Sequence, residues 1–518
     1  MAKAQKVQKP QKHLYEGAEW SFEKLDRVYD AIEEIANSEL GLNVYPNQIE
    51  VITSEQMLDA YSGIGMPLMY NHWSFGKSFV QDEFYYRKGM RGLAYEIVIN
   101  SSPCISYIME ENTMTMQALV VAHAAFGHNH FFKNNHLFKQ WTDAEAILDY
   151  MHFAREYISK CEERHGVEAV EELLDAAHAL RENAVDHYSR PVPMSREMAQ
   201  QRIDDREEHK RTDYRDIWRT LPHKEADAED EEVKSKRQEA NMAKFGLPEA
   251  NLLYFFEKHS PILEDWQREI LRIVRNIAQY FYPQKQTKVM NEGCACFCHY
   301  YIMNRLFDKG LITEGAMLEF IDYHSRVVAQ PDFDDQRWSG INPYALGFAM
   351  MQDIYRICDD PTDEDKLWFP DIAGSKNGIE VLKDAWANYR DESFILQFLS
   401  PKLIRDFRLF QIHDNSSLPH LKVDAIHDSR GYKKIRSALA KSYTVSAMTL
   451  DIQVADVEFE GDRAITLRHM VHDDVPIDGK EAEQVMRRIA QLWGYDVSLY
   501  CEDALSGKIL ATYDVTAS

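Results

Sequence analysis

Cysteine is scarce. Seven residues in 518 are too few and too unevenly placed for a disulfide framework, which fits a reducing compartment. Long apolar runs are missing as well. The longest apolar helix candidate, Met116 to Phe126, is too short to span a bilayer. Met1 to Lys12 is basic, but no apolar segment follows it, so no signal peptide is expected and the chain is assigned to the cytoplasm. Positive charge is in deficit: 59 Lys plus Arg face 84 Asp plus Glu, a formal charge of -25. Such a chain repels nucleic acid phosphates and anionic membranes, and no long basic stripe reverses this. A nucleic-acid partner and a membrane span are both expected to be absent. There is no Walker motif, no dinucleotide fingerprint and no internal repeat.

What is present is length and apolar content. With 518 residues, 45% of them apolar, the chain has enough interior for two or three domains. The expected class is α+β, with a mainly helical body, a small N-terminal sheet and a small C-terminal α+β domain. The tail 1–12 reads as disordered. Residues 13–189 read as an N-terminal α+β part, with an amphipathic helix over Trp20 to Ser38 and strands near 48–53, 94–100 and 104–109. Residues 190–247 are charge-dense, most clearly at 224–239, and read as a linker or insertion of irregular structure. Residues 248–422 read as helical, with Pro283 breaking a helix. Residues 423–518 read as two hairpins, turning at Glu460-Gly461-Asp462 and Ser506-Gly507, around a helix at 480–493.

Two short segments carry chemistry. In His123-Ala-Ala-Phe-Gly-His128, two imidazoles lie near the end of an apolar helix that begins near Thr113. In Asn291-Glu292-Gly293-Cys294-Ala295, a carboxylate lies near the start of another. Two His and one Glu from two elements can hold a zinc-type ion with one position open. The spacing argues against it. Residues five apart are about 140° apart on a straight α-helix, and Ala124 stands where a zinc hydrolase helix carries its general base. A left-handed helix end at Gly127 would let His128 swing back towards His123. The plainer alternative is that both are core or interface histidines, and that Glu292 is a charge favoured by the helix dipole. His130, seven residues after His123, lies too far along the axis to share one ion. His299 lies seven residues after Glu292 and faces the same side two turns away. His324 and the segment Asn342-Pro343-Tyr344-Ala345-Leu346-Gly347 are candidates to line the same cleft, or in the latter case a helix cap and turn. Cys294, Cys296 and Cys298, spaced by two, read as buried structural thiols.

Several blocks together resemble one family. They include Pro46-Asn47-Gln48-Ile49-Glu50-Val51-Ile52-Thr53, His72-Trp73-Ser74-Phe75-Gly76-Lys77, Tyr95-Glu96-Ile97-Val98-Ile99-Asn100 and Met109-Glu110-Glu111-Asn112-Thr113. Others are Phe131-Phe132-Lys133-Asn134-Asn135, Tyr282-Pro283-Gln284-Lys285-Gln286-Thr287 and Trp368-Phe369-Pro370-Asp371-Ile372. The chain resembles the SpoVR family over nearly its whole length, and within it the branch from non-sporulating Gram-negative bacteria. Cys294 stands where the family has Trp. The resemblance implies a role in spore cortex formation or in a starvation or stress response. It also implies a PrkA-type serine kinase and a von Willebrand factor A-like protein as partners.

The Asn-Glu-Gly segment is similar, more weakly, to the third-ligand segment of zincin-type aminopeptidases. That likeness implies a zincin-like body and a divalent metal, zinc foremost, held by His123, His128 and Glu292. It implies hydrolysis of a peptide or peptidoglycan-like amide. With Ala at 124, the acid or base is expected from Glu110, Glu111 or His299, with Tyr344 in the same cleft. The competing reading is a non-catalytic scaffold in the kinase system.

Overall fold

The structure, a computed structural model, describes residues 13–63, 65–66, 68–87, 96–187, 246–413, 419, 422–458, 462–472 and 477–517. The expected tail at 1–12 and the charge-dense stretch at 224–239 lie outside these residues. The described chain is mostly helical with three small sheets, an α+β protein. It divides into two compact units, Met1–Arg155 with Pro283–Thr444 and Glu156–Tyr282 with Val445–Ser518. Among the described residues no helix is long and apolar enough to cross a membrane.

In the first unit, α1 (Phe22–Ile35) opens on Ser21, whose side chain accepts from the Lys24 amide. It buries Leu25, Val28, Ile32 and Ile35, the stripe its sequence spacing dictates. Three strands follow, β1 (Asn47–Ile52), β2 (Glu96–Ile99) and β3 (Cys104–Met109). β3 is central, parallel to β1 and antiparallel to β2. α2 (Met114–Val121) starts at the cap Thr113 and is buried on every side, as its largely apolar sequence requires, with the polar Thr115 and Gln117 buried as well.

Here one expectation fails. The helix does not end at Gly127, and Gly127 does not take the left-handed conformation. Ala122–His128 continues as a π-helix and Asn129–Asn134 as an α-helix. Gly127 is needed for close approach instead. A Cβ there would lie 2.5 Å from the Cα of Ala295 on a neighbouring helix.

That neighbour is α3 (Lys288–Asp308), the Asn-Glu-Gly helix. The helix before it also departs from expectation. It runs through Pro283 to Gln286, because proline near a helix end forfeits only one late hydrogen bond. The first amides of α3 are satisfied by a fully buried carboxylate. Val289 N donates to Asp391 Oδ2 at 2.8 Å and Met290 N to Asp391 Oδ1 at 2.9 Å. Glu292 is the fifth residue of α3, one turn further in than its sequence position suggested.

α4 (Glu314–Val327) carries His324. α5 (Pro343–Asp359) starts at Asn342, whose side chain accepts from Tyr344 N, with Pro343 at the first helical position. α3 and α5 touch backbone to backbone. A Cβ on Gly293 would lie 2.6 Å from the Gly347 carbonyl carbon, and one on Gly347 2.8 Å from Gly293 Cα. A small hairpin, β4 (Gln411–His413) with β5 (Lys422–Ala425), lies near the end of this unit.

The second unit contains a four-stranded sheet of β6 (Asp451–Val457), β7 (Ile465–Val471), β8 (Val497–Asp503) and β9 (Ile509–Val515), in chain order. The outer pairs are antiparallel; β7 and β8 are parallel and joined across α6 (Gly479–Trp493). Asp478 caps α6, and Gly494, at φ +88°, ends it. Alternate residues of β7 and β8, from Ile465 and Leu467 to Leu499 and Cys501, are buried. The C-terminal stretch of this unit begins at 445, and the unit also takes in 156–282.

Candidate metal centre

The π-helix resolves the spacing that an α-helix could not. Its i→i+5 bonds bring residues five apart onto one side, and the rings of His123 and His128 stand 4.6 Å apart. Asn291 on α3 fixes the second ring. His128 Nδ1 lies 2.9 Å from Asn291 Oδ1, an atom that can only accept, so Nδ1 carries the proton and Nε2 presents its lone pair. The next residue supplies a carboxylate. Glu292 Oε2 lies 3.6 Å from His128 Nε2 and 3.8 Å from His123 Nε2. A second carboxylate arrives from β2, with Glu96 Oε1 3.7 Å from His123 Nε2.

These separations are too long for hydrogen bonds. His123 Nε2 and Glu292 Oε2 are buried and have no hydrogen-bond partner, an arrangement that native interiors rarely tolerate. Donors set about 2.0 to 2.2 Å from a shared ion in tetrahedral array stand about 3.4 Å from one another. The observed spacings are slightly wider than that. Glu96, His123 and His128 form one group able to hold an ion, and His123, Cys296 and His299 another.

The electrostatics separates the two carboxylates. Burial pushes Glu292 up, but His123, His128 and the Tyr344 hydroxyl outweigh it and hold Glu292 below the usual carboxylate range. Burial raises Glu96, the charge of Glu292 raises it further, and His123 only partly opposes this. Burial holds His128 down to about 4, against the pull of Glu292, so it is neutral near pH 7. Tyr344 is raised by burial and by both carboxylates, and stays protonated. Cys296 is a thiol pushed well up by burial and by the two carboxylates, which makes it a poor ligand beside the four others.

Behind His123 stand two more imidazoles. His123 Nδ1 lies 2.9 Å from His299 Nδ1, and His299 Nε2 lies 2.7 Å from His324 Nδ1. Burial holds His299 well below its ordinary value and His324 at about 4.

Five of the predicted residues therefore come together: His123, His128, Glu292, His299 and Tyr344. Glu110 and Glu111 do not join them. Both are exposed at the turn before α2, where Glu111 Oε1 accepts from Ser54 N. About fifteen ångströms of helical rise separate that turn from His123. Glu96 is the residue that sequence reasoning missed. Its only signal was a carboxylate at the head of a short apolar strand, within the block 95–100. His130 has another task, its Nδ1 accepting from Asn43 N at 2.9 Å. All seven cysteines are buried and unpaired.

A strand, a π-helix and an α-helix thus bring together two histidines and two carboxylates, and define a helical protein whose interior has side chains that could hold a metal ion. The chain belongs to the SpoVR family. Residues 19–448 match the family model described as SpoVR like protein, and residues 450–504 match the SpoVR-like C-terminal domain. It is 52% identical over 499 residues to Uncharacterized protein YcgB of Escherichia coli (strain K12), an alignment covering 96% of each chain. No solved structure matches it.

Proposed function

We propose that this chain is a metal-dependent hydrolase acting on an amide bond of a peptide or peptidoglycan-like substrate. His123, His128 and Glu292 would hold the ion, with zinc the first candidate. The observation that carries this is the pair of buried atoms without partners, His123 Nε2 and Glu292 Oε2, turned towards one gap. When bound, such an ion polarises a carbonyl and lowers the pKa of water.

The chain's own residues supply the rest. Glu292, held ionised, neutralises part of a cation's charge. Glu96, held above the ordinary carboxylate range by burial, is the carboxylate placed to take and return a proton. Two carboxylates whose surroundings push them apart divide the roles of ligand and acid–base group between them. Tyr344, which stays protonated, helps to hold Glu292 ionised. Asn291 keeps His128 in the ligating tautomer.

The family associations fit a cytoplasmic enzyme of spore cortex formation or of a starvation or stress response. They also fit one working beside a PrkA-type serine kinase and a von Willebrand factor A-like protein. A second reading has its own observation. Glu96 lies as close to His123 as Glu292 does, and four protein donors would close the site, leaving a structural ion in a scaffold.

Metal content with in vivo complementation of a deletion strain tests both readings. One equivalent of metal is expected in the purified protein, lost in His123→Ala and Glu292→Ala. Glu96→Gln should keep the metal and fail to complement. Loss of metal from Glu96→Gln favours the closed site. A metal-free wild type, or full complementation by all three variants, overturns the enzyme.

A further inference from the structure

We infer that His299 and His324 are positioning residues for His123: they form a directed line of hydrogen bonds that holds its Nε2 free for an ion. The inference rests on the metal reading above and adds a requirement of its own.

A neutral imidazole has one N–H and one lone pair. The contacts run His123 Nδ1 to His299 Nδ1, then His299 Nε2 to His324 Nδ1. Three neutral rings so connected have only two complete patterns. In the outward pattern, His123 Nδ1–H donates to His299, His299 Nε2–H donates to His324, and His123 Nε2 is a lone pair. In the inward pattern both bonds reverse, and His123 carries its proton on Nε2, facing Glu96 and Glu292. An ion in the gap between those carboxylates selects the outward pattern, because Nε2 cannot hold both a proton and a metal.

His324 is then the terminal acceptor. It is buried on α4 among Phe320, Phe348 and the ring of Tyr300, with no acidic partner in contact among the described residues. Without its Nδ1, the outward pattern leaves the His299 N–H buried and unsatisfied, while the inward pattern leaves only a lone pair unsatisfied. Orphaned buried N–H groups are the rarer and costlier of the two. Removing the acceptor therefore tips the line inward and against the ion, from a ring that never touches it.

The test uses the full-length protein, zinc with a competing chromogenic chelator, and nitrogen-15 spectra of histidine-labelled samples. His324→Phe keeps the apolar packing and removes the acceptor. His324→Asn offers Oδ1 in place of Nδ1. Zinc affinity should fall about 10- to 100-fold in His324→Phe, the usual effect of losing an outer partner of a ligand, and stay close to wild type in His324→Asn. Equal affinity in all three proteins, or equal loss in both variants, overturns the inference; the latter would assign His324 a packing role. In the zinc-loaded wild type, His299 must carry its proton on Nε2, and finding it on Nδ1 also overturns the inference. If the wild type takes up no zinc, the metal reading fails separately. The spectra then decide the line alone: His299 protonated on Nε2 with His123 on Nδ1, or His299 on Nδ1 with His123 on Nε2, upholds it, and any other pairing overturns it.

Discussion

Acid should destabilise the first unit well before most carboxylates titrate. Three of its imidazoles, His128, His130 and His324, are each held down to about 4 by burial, against an ordinary 6.5. A depressed folded pKa means that the unfolded chain binds the proton first. The stability each contributes is complete above 6.5 and is lost as pH falls towards 4. At pH 5 that loss is about 2 kcal/mol per ring relative to pH 8. Asp391 works in the opposite sense. Burial raises it to about 7 from 3.8, so the folded state binds its proton first, and its stability is present below 3.8 and lost as pH rises through 7. Moving from pH 8 to pH 5 therefore returns about 2 to 3 kcal/mol through Asp391. Over these four groups the balance is a loss of about 3 to 4 kcal/mol, a large share of the roughly 5 to 15 kcal/mol that holds a domain folded. Urea unfolding from pH 8 to pH 5, with a chelator present so that no ion competes for His128, measures it. His130→Asn keeps an acceptor for the Asn43 amide and removes one titrating ring, so its pH slope should be shallower by about 2 kcal/mol. A wild type as stable at pH 5 as at pH 8, or an unchanged slope in His130→Asn, would refute the reasoning.

Gly347→Ala should cost about 3 kcal/mol or more, the upper end for overpacking, because the new methyl meets the Val289 carbonyl and Gly293 Cα, which are backbone and cannot rotate away; thermal melting checks this, and a loss below about 1 kcal/mol would mean that α3 and α5 separate freely. Asn291→Leu removes the acceptor that fixes the His128 tautomer at 2.9 Å, and zinc affinity should fall about 10- to 100-fold with the fold retained; calorimetric titration reads it out. Asp391→Ala leaves the Val289 and Met290 amides buried without an acceptor and should cost about 2 to 4 kcal/mol, two unsatisfied donors at roughly 1 to 2 kcal/mol each. Hydrogen exchange at those two amides should quicken before the rest of α3 does.

Much of the fold was legible because it follows from two periods. The stripe of α1 and the alternation of β7 and β8 are direct images of 3.6 and 2 in the sequence. Long-range facts left no such trace. Nothing near Asn291 says that a carboxylate one hundred residues on will cap its helix, or that Gly293 will meet Gly347. Glu96 was invisible as a site residue because it reaches His123 only through strand order, β2 lying beside β3 ahead of α2.

The histidine spacing is the instructive case. Arithmetic on an α-helix sets residues 123 and 128 about 140° apart and argues against a shared ion. The chain meets the difficulty with a π-helical stretch at 122–128 rather than a turn. Such stretches have poorer hydrogen-bond geometry, so they persist where surrounding contacts over-determine them. Those contacts are present. Gly127 is pressed against Ala295, His128 is tied to Asn291, and His123 is tied to His299, all three partners on α3. One helix therefore holds the π stretch in register and also carries Glu292 to meet it. The irregularity and the donor set have the same cause, which makes the five-residue spacing an argument for the site rather than against it.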